Sequence, residues 1–429
     1  MKRQIINRQQ FKTGFILSCL TLISNLILSQ SPMTMDQMDS LIRSSTYKIE
    51  FTDSKLNGPG LDWLLKEADI ANYFLIGERH GTAETPQLSA SIYENISKGG
   101  YDHAILEIGE YAAYKVQSLL NSGGFYELES FLNNPDYTES IAFLDWKEEA
   151  SLVSSITQNS AQGNEAIWGV DQEFIFGCAM YLDMLKETAY TEDQKKEIEL
   201  LHQSLQENKF LLGSDIKQDL EQLKKLYDPS KDKASIGLLD ALIISNRIYG
   251  RFRGEITRIE ANTMRENLMK TTFRDLILEY EKLTGKSSKV FIKMGGYHSA
   301  PYIGMGKTSF GTFVEEWAIS RNEVAFNLFI DINGGKIISS GQDNPKGGND
   351  VIEAKSQLGI IDPTESDLNT RHVFSKLLKD RSTILLIDLR PLRANMDRVS
   401  PFLNDKAINL ITGFDAYLAI PNVTPSTAY

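Results

Sequence analysis

Tyr73-Phe74-Leu75-Ile76-Gly77-Glu78-Arg79-His80-Gly81-Thr82-Ala83-Glu84 is the stretch that decides how this chain folds. Its first five residues are a compact apolar run closed by glycine, the pattern of a strand buried on both faces. Polar residues follow at once, so the strand ends in groups that can do chemistry. Downstream, Thr85–Ser97 predicts a helix, and Gly99-Gly100 closes it as glycine often closes helices. His103-Ala104-Ile105-Leu106-Glu107-Ile108 predicts a second buried strand, and Ala166-Ile167-Trp168-Gly169-Val170-Asp171 a third. Buried strands separated by a helix predict a βαβ unit in a parallel sheet.

Further out, Lys289–Gly295, Ala325–Ile330, Thr383–Ile387 and Ala416–Ile420 supply more strands. Residues 180–285 are rich in Glu, Lys, Gln and Leu, interrupted at Asp228-Pro229-Ser230. They predict a helical insertion that packs over the sheet as a cap. Residues 32–60 read as a polar lead-in, 61–68 as a short helix and 341–350 as a mobile loop. The expected fold class is α/β: a mainly parallel or mixed central sheet flanked by helices. Residues 30–429 are expected to form one hydrolase-like domain, with the helical insertion at about 180–285.

The chain has 429 residues, with 45 Lys+Arg against 57 Asp+Glu and a net charge of −12. So acidic a balance argues against a nucleic-acid partner and against docking on anionic lipid. Lys2, Arg3, Arg8 and Lys12 precede an apolar run from Gly14 to Leu28, and Ser29-Gln30-Ser31-Pro32 follows. That order reads as a signal peptide over residues 1–29 and predicts a secreted or periplasmic protein. No later stretch is apolar enough to span a bilayer. The two cysteines are Cys19, inside the signal segment, and Cys178. No intramolecular disulfide is then available, and any metal must be held by His, Asp or Glu.

In a parallel sheet the strand C-termini share one edge, where ligands bind. Glu78 and His80, Glu107, Asp171, and His298 after Gly295-Gly296-Tyr297 all fall there, with Glu84 close behind. His80 and His298 each follow a strand in the spacing Gly-x-x-His. An imidazole can deprotonate water near neutral pH, and a carboxylate on its other nitrogen fixes the tautomer. Two histidines and a carboxylate (His80, His298, Glu107) are also a ligand set for a divalent metal with an open position for water. Glu107 lies in an otherwise apolar strand, where a carboxylate needs a partner. Glu84 equally suits a first-turn helix acid. His103, His202 and His372 read as packed or surface residues, and Cys178 as a packed thiol. No Gly-x-Ser-x-Gly elbow or Walker A loop is present; Gly304-Met305-Gly306-Lys307-Thr308 reads as a loop.

These motifs resemble a known superfamily. Gly77-Glu78-Arg79-His80-Gly81 with Glu84 is similar to the signature of erythromycin esterases. The paired Gly-x-x-His motifs with Glu107 between them resemble the TraB/TIKI metalloproteases, and ChaN-like haem-uptake proteins belong to the same set. Gly169-Val170-Asp171 and the Phe414–Tyr417 and Thr424–Ser426 segments resemble esterase elements as well. The chain departs from the esterases in two places. One residue, not two, separates Glu78 from His80. In the helix motif Arg-x-x-x-Met-x-x-Asn, Met264 and Asn267 match but Glu260 stands at the Arg position, leaving Arg258 or Arg253 as substitute cations.

The resemblance implies a hydrolase in which His80 activates water. Glu78, Glu84 and Glu107 orient it, and His298 acts as acid or as a second metal ligand. Asp171, Arg258, Glu260 and Asn267 would bind the substrate, a small molecule or a peptide. An ester or lactone is the expected bond, with a peptide bond as the alternative. The competing expectation is a ChaN-like protein that holds haem or a metal with the same residues and hydrolyses nothing.

Overall fold

The computed structural model describes residues 32–300, 303–304, 307–338, 350–354 and 382–429. The signal segment, Cys19, His372 and nearly all of the 341–350 loop lie outside the described residues. Among the described residues thirteen strands run in chain order: β1 Thr46–Thr52, β2 Lys55–Asn57, β3 Tyr73–Glu78, β4 Tyr101–Gly109, β5 Ile167–Asp171, β6 Lys289–Gly295, β7 Ile303–Gly304, β8 Lys307–Thr308, β9 Ala325–Ile332, β10 Lys336–Ile338, β11 Val351–Glu353, β12 Ile384–Asp388 and β13 Ala416–Ile420. The longer helices are α1 Met35–Ser44, α2 Pro59–Ile70, α3 Glu84–Ile96, α4 Glu110–Leu132, α5 Lys147–Asn159, α6 Cys178–Thr188, α7 Glu192–Glu207, α8 Lys217–Lys225, α9 Lys233–Tyr249, α10 Arg258–Thr284, α11 Phe310–Ser320 and α12 Asp405–Gly413.

Nine strands form one sheet in the order β2-β1-β12-β13-β9-β3-β6-β4-β5. The run from β13 to β5 is parallel throughout, and β2, β1 and β12 add an antiparallel edge. The expected mixed α/β sheet is therefore present, with β3 and β6 the central pair of its parallel run. Every residue of β3 is buried, as a continuous apolar run requires.

Period-two alternation sorts the strand side chains onto two faces. Phe74, Ile76, Leu106 and Phe291 pack with Leu64, Leu88, Val116 and Ile156 from α2 to α5. Leu75, Ile105, Ile292 and Met294 pack on the other face with Met269, Phe273 and Ile277 of α10 and Phe310 and Val314 of α11. The block from α6 to α10 is helical, as its composition predicted. Its break falls at Asp228, whose carboxylate accepts from the backbone N–H and hydroxyl of Ser230. Leu182, Leu220 and Leu239 from this block join the same core cluster as α2 to α5.

Residues 32–60 depart from the lead-in expectation. They form α1, opened by a Thr34/Gln37 capping box, and the β1–β2 hairpin. The signal was there: Tyr47, Ile49 and Phe51 alternate with polar residues, as suits an edge strand with one wet face. Gly304 and Lys307 belong to a two-stranded antiparallel pairing. Among the described residues no helix is long and apolar enough to cross a membrane.

Candidate active site

The strand ends bring the paired Gly-x-x-His motifs together. In the register of β3 on β6, Gly77 lies beside Met294 and Glu78 beside Gly295. The glycines serve each other's motif. A Cβ on Gly295 would sit 2.8 Å from His80 Nε2, and one on Gly77 would sit 2.1 Å from Ser299 Oγ, next to His298. Each turn closes only because the opposite position lacks a side chain.

Glu107 of β4 is the junction. His80 Nε2 lies 3.5 Å from its Oε2, and His298 Nε2 lies 3.5 Å from its Oε1. The other ring nitrogen of each histidine meets its own carboxylate: His80 Nδ1 is 2.9 Å from Glu78 and His298 Nδ1 is 2.7 Å from Glu266 of α10. Arg265 donates to Glu107 Oε1 at 2.7 Å and grips Asp171 through Nε and a second guanidinium nitrogen. The Gly295 N–H donates to Glu107 Oε2 at 2.5 Å. On the opposite face of the sheet, the Lys293 ammonium donates to Glu78 at 2.6 Å and to Glu149 of α5 at 2.8 Å. Two buried ionic clusters thus flank the sheet edge, and His80 joins them. Phe143 stacks on its ring at 4.1 Å, and Phe143 itself has a left-handed backbone, φ 67°. His80 still keeps 21% of its side chain exposed, whereas Glu78 keeps 1%.

These surroundings set the charges. Burial disfavours a charged His80, but hydrogen bonds and charge from Glu107 and Glu78 outweigh it and push the imidazole up to about 10. Burial likewise works against the Glu107 anion, and His298, His80 and Arg265 overcome it, holding the carboxyl well below its ordinary value. Glu78 is lowered, because Lys293 and His80 outweigh its burial. Glu149 is raised, since Lys293 offsets its burial only in part and Glu78 repels it. His80 therefore rests as an imidazolium between two carboxylates.

Glu78, His80, Glu107, His298 and Asp171 converge as the strand-end reading expected. Glu84 does not join them. Its carboxylate accepts from the Thr424 backbone N–H and hydroxyl, at 2.8 to 3.0 Å, and so ties residues 423–426 to the start of α3. Glu260 is also elsewhere. It is the fourth member of a Thr257 capping box, taking the Thr257 N–H at 2.8 Å, because it falls at the third position of α10. Asn267 and Arg258 are exposed. Arg253 is committed to the Gly213, Ser214 and Asn246 carbonyls. The cation that meets Glu107 and Asp171 is Arg265. The residues the sequence reading missed are Arg265, Glu266, Lys293, Glu149 and Phe143. Glu266 carried a signal: it lies in phase with Met269, Phe273 and Ile277, so a charge sits on the apolar stripe of α10. Lys293 carried the same one inside β6. His103 is packed as expected, stacked on Trp168 at 4.0 Å and lowered to about 4 by burial. Cys178 is buried, and burial pushes its thiol up to about 12.

The donor set fits a divalent ion poorly. One Glu107 oxygen is taken by Arg265 and the other by the Gly295 N–H, and a guanidinium already stands where an ion would draw on that carboxylate. Among the described residues no group of three or more His, Cys, Asp or Glu is disposed to hold a metal ion.

No family model matches the chain, and no curated protein matches it. Solved structures do share this fold. A Bacillus cereus protein is similar with TM-score 0.58 and 14% identity, over 93% of this chain and 100% of that one. A protein described as a succinoglycan biosynthesis protein aligns with TM-score 0.58 and 13% identity, over 92% and 98%. A variant of the erythromycin esterase EreC in its open conformation aligns with TM-score 0.58 and 15% identity, over 89% and 98%. The chain thus has the erythromycin esterase-like fold along nearly its whole length, which is the class its motifs resembled.

Proposed function

We propose that this protein is a hydrolase that directs water onto a carboxylic ester or lactone bond. One observation carries the reading: the two imidazoles, from adjacent strand ends, face the two oxygens of a single buried carboxylate. The basic and then apolar first 29 residues support a secreted or periplasmic setting.

The charge pattern favours roles opposite to those the resemblance implies. His298, oriented by Glu266, takes the proton from water as the water oxygen bonds to the acyl carbon. His80, resting as an imidazolium, stabilises the developing oxyanion and gives its proton to the alkoxide as the C–O bond breaks. The proton then sits on His298 and is missing from His80. Exchange of protons with water resets the site, while Glu107 stays anionic between the two Nε2 atoms. Arg265 and the Gly295 N–H hold Glu107 in that bridging place.

The test is a pH–rate profile on a simple ester, corrected for the uncatalysed alkaline rate. A donor His80 makes the rate fall as pH passes about 10. His80→Ala lowers turnover about 10²- to 10⁴-fold in a protein that still folds. A rate that climbs through the same range would give His80 the role of base, and full activity in His80→Ala would remove the reading.

A further inference from the structure

Beyond β13, residues 423–429 run past the candidate site and bond to it in succession. Val423 is fixed first. Its N–H donates to the Gly334 carbonyl at 2.9 Å, and its carbonyl accepts from the Lys336 N–H at 3.0 Å. Next comes the turn that carries His80. The Ala83 N–H donates to the Thr424 carbonyl at 3.0 Å, and the Ser426 N–H donates to the Gly81 carbonyl at 3.2 Å. Thr82 pairs with Pro425 as an isolated antiparallel β-bridge. Glu84 locks this contact by accepting the Thr424 N–H and hydroxyl. The segment then meets the loop that carries Phe143. The Lys147 N–H donates to the Thr427 carbonyl at 2.8 Å, and the Tyr429 N–H donates to the Asp145 carbonyl at 3.0 Å. Trp146 pairs with Ala428 as a second antiparallel bridge. Here Glu148 does what Glu84 does at the other contact, accepting the Thr427 N–H at 2.9 Å.

The Phe143 loop needs holding from outside. Glu139 at φ 68° and Phe143 at φ 67° are both left-handed, a conformation that side chains other than glycine disfavour. Yet this loop delivers the ring that stacks on His80 at 4.1 Å. Ala142, Phe143 and Leu144 also wall a cavity of about 20 Å³ whose other side includes His80, Glu107 and Lys293. The loop is thus one wall of the site, and the turn at 81–83 carries another. Residues 423–429 are bonded to both.

We propose that residues 423–429 are a positioning strap, which sets the His80 ring against Phe143 by tying the turn at 81–83 to the loop at 145–147. Glu84 and Glu148 are positioning residues that act through the strap and touch no substrate. The effect of the strap on rate rests on the hydrolase reading; the strap itself does not.

Amide hydrogen exchange of the full chain, read residue by residue in NMR, tests whether the two contacts are one unit. In Glu84→Ala, exchange quickens at Ala83 and Thr424, and also about 10-fold at Lys147 and Tyr429, across the strap. In Glu148→Ala it quickens at Lys147 and Thr427, and by a similar factor at Ala83 and Ser426. Both variants shift the His80 imidazole resonances and leave those of His298, held by Glu266, in place. On a simple ester both lower kcat about 10-fold with KM nearly unchanged, as a small misplacement in a site does. Glu84→Gln, which keeps one acceptor oxygen, recovers most of that loss. Glu192→Ala, an exposed acid of α7, changes none of these readings. Exchange that quickens only at the altered end in both variants overturns the strap. Coupled exchange with kcat and the His80 resonances unchanged overturns its positioning role. Coupled exchange and shifted His80 resonances, with no ester cleaved by the wild type, uphold the strap and remove the hydrolase reading.

Discussion

The two Gly-x-x-His turns are alike in sequence and unlike in setting. His80 leaves β3 between two carboxylates, under Phe143, and keeps a fifth of its side chain open. His298 leaves β6 on the single helical turn Gly296–Ser299, is 7% exposed, and leans on Glu266 from the opposite face of the sheet. Both rings reach Glu107. The difference teaches that the motif fixes where an imidazole goes, while the acids around it fix which way the proton moves. One ring is held charged at the opening, and the other is paired with an acid in the interior.

The comparison breaks most completely when either ring is removed. His80→Ala and His298→Ala should each cost about 10²- to 10⁴-fold in kcat, the usual worth of a positioned acid or base. Circular dichroism should show both variants folded. Next comes the close approach of the turns. Gly295→Ala places a methyl group 2.8 Å from His80 Nε2. It should lower kcat about 100-fold, as small misplacements in a site do. The matched control is Gly99→Ala, whose new atom meets nothing nearer than 3.8 Å. It should leave the rate alone.

A thermodynamic contrast is smaller. The His80 value rises from 6.5 in the unfolded chain to about 10 in the folded one. The folded protein therefore holds that proton more tightly. The resulting stability is fully present below pH 6.5 and is lost as pH climbs through 10. Unfolding free energies from urea titrations should fall across that window by on the order of 2 kcal/mol, allowing for the exposed edge of the ring. His80→Gln should flatten the slope. The smallest effect belongs to Phe143→Ala, which removes a stacked ring worth about 1 kcal/mol. It should shift the His80 imidazole resonances in NMR and change kcat/KM by less than tenfold. Unmoved resonances would mean that Phe143 does not set the state of His80.

Much of the sheet was legible because its parallel strands are buried on both faces and so read as unbroken apolar runs. The antiparallel edge was harder. In β1 only Ile49 is buried, so its hydrophobic content is low and only the alternation betrays it. In the site, groups delivered by strand ends were visible, since a parallel sheet places its C-termini together by construction. Groups delivered by α10 were not. Met264 and Asn267 match a motif by spacing, yet burial runs through Glu266, Met269 and Phe273, and a rotation of one residue on a helix turns a side chain by about 100°. Glu84 was misplaced for a related reason. Nearness in sequence to His80 says nothing about residue 424, which claims its carboxylate.

The reciprocal glycines also bear on how such a site can drift. A methyl gained at position 295 collides with the residue at 80, and one gained at 77 collides with the residue at 299, so neither half can be edited alone. In related sequences these two pairs should vary in concert. A lineage that fills one glycine should already have trimmed or turned the residue facing it, and the order of such changes would be constrained as that of two interlocking teeth on a clasp.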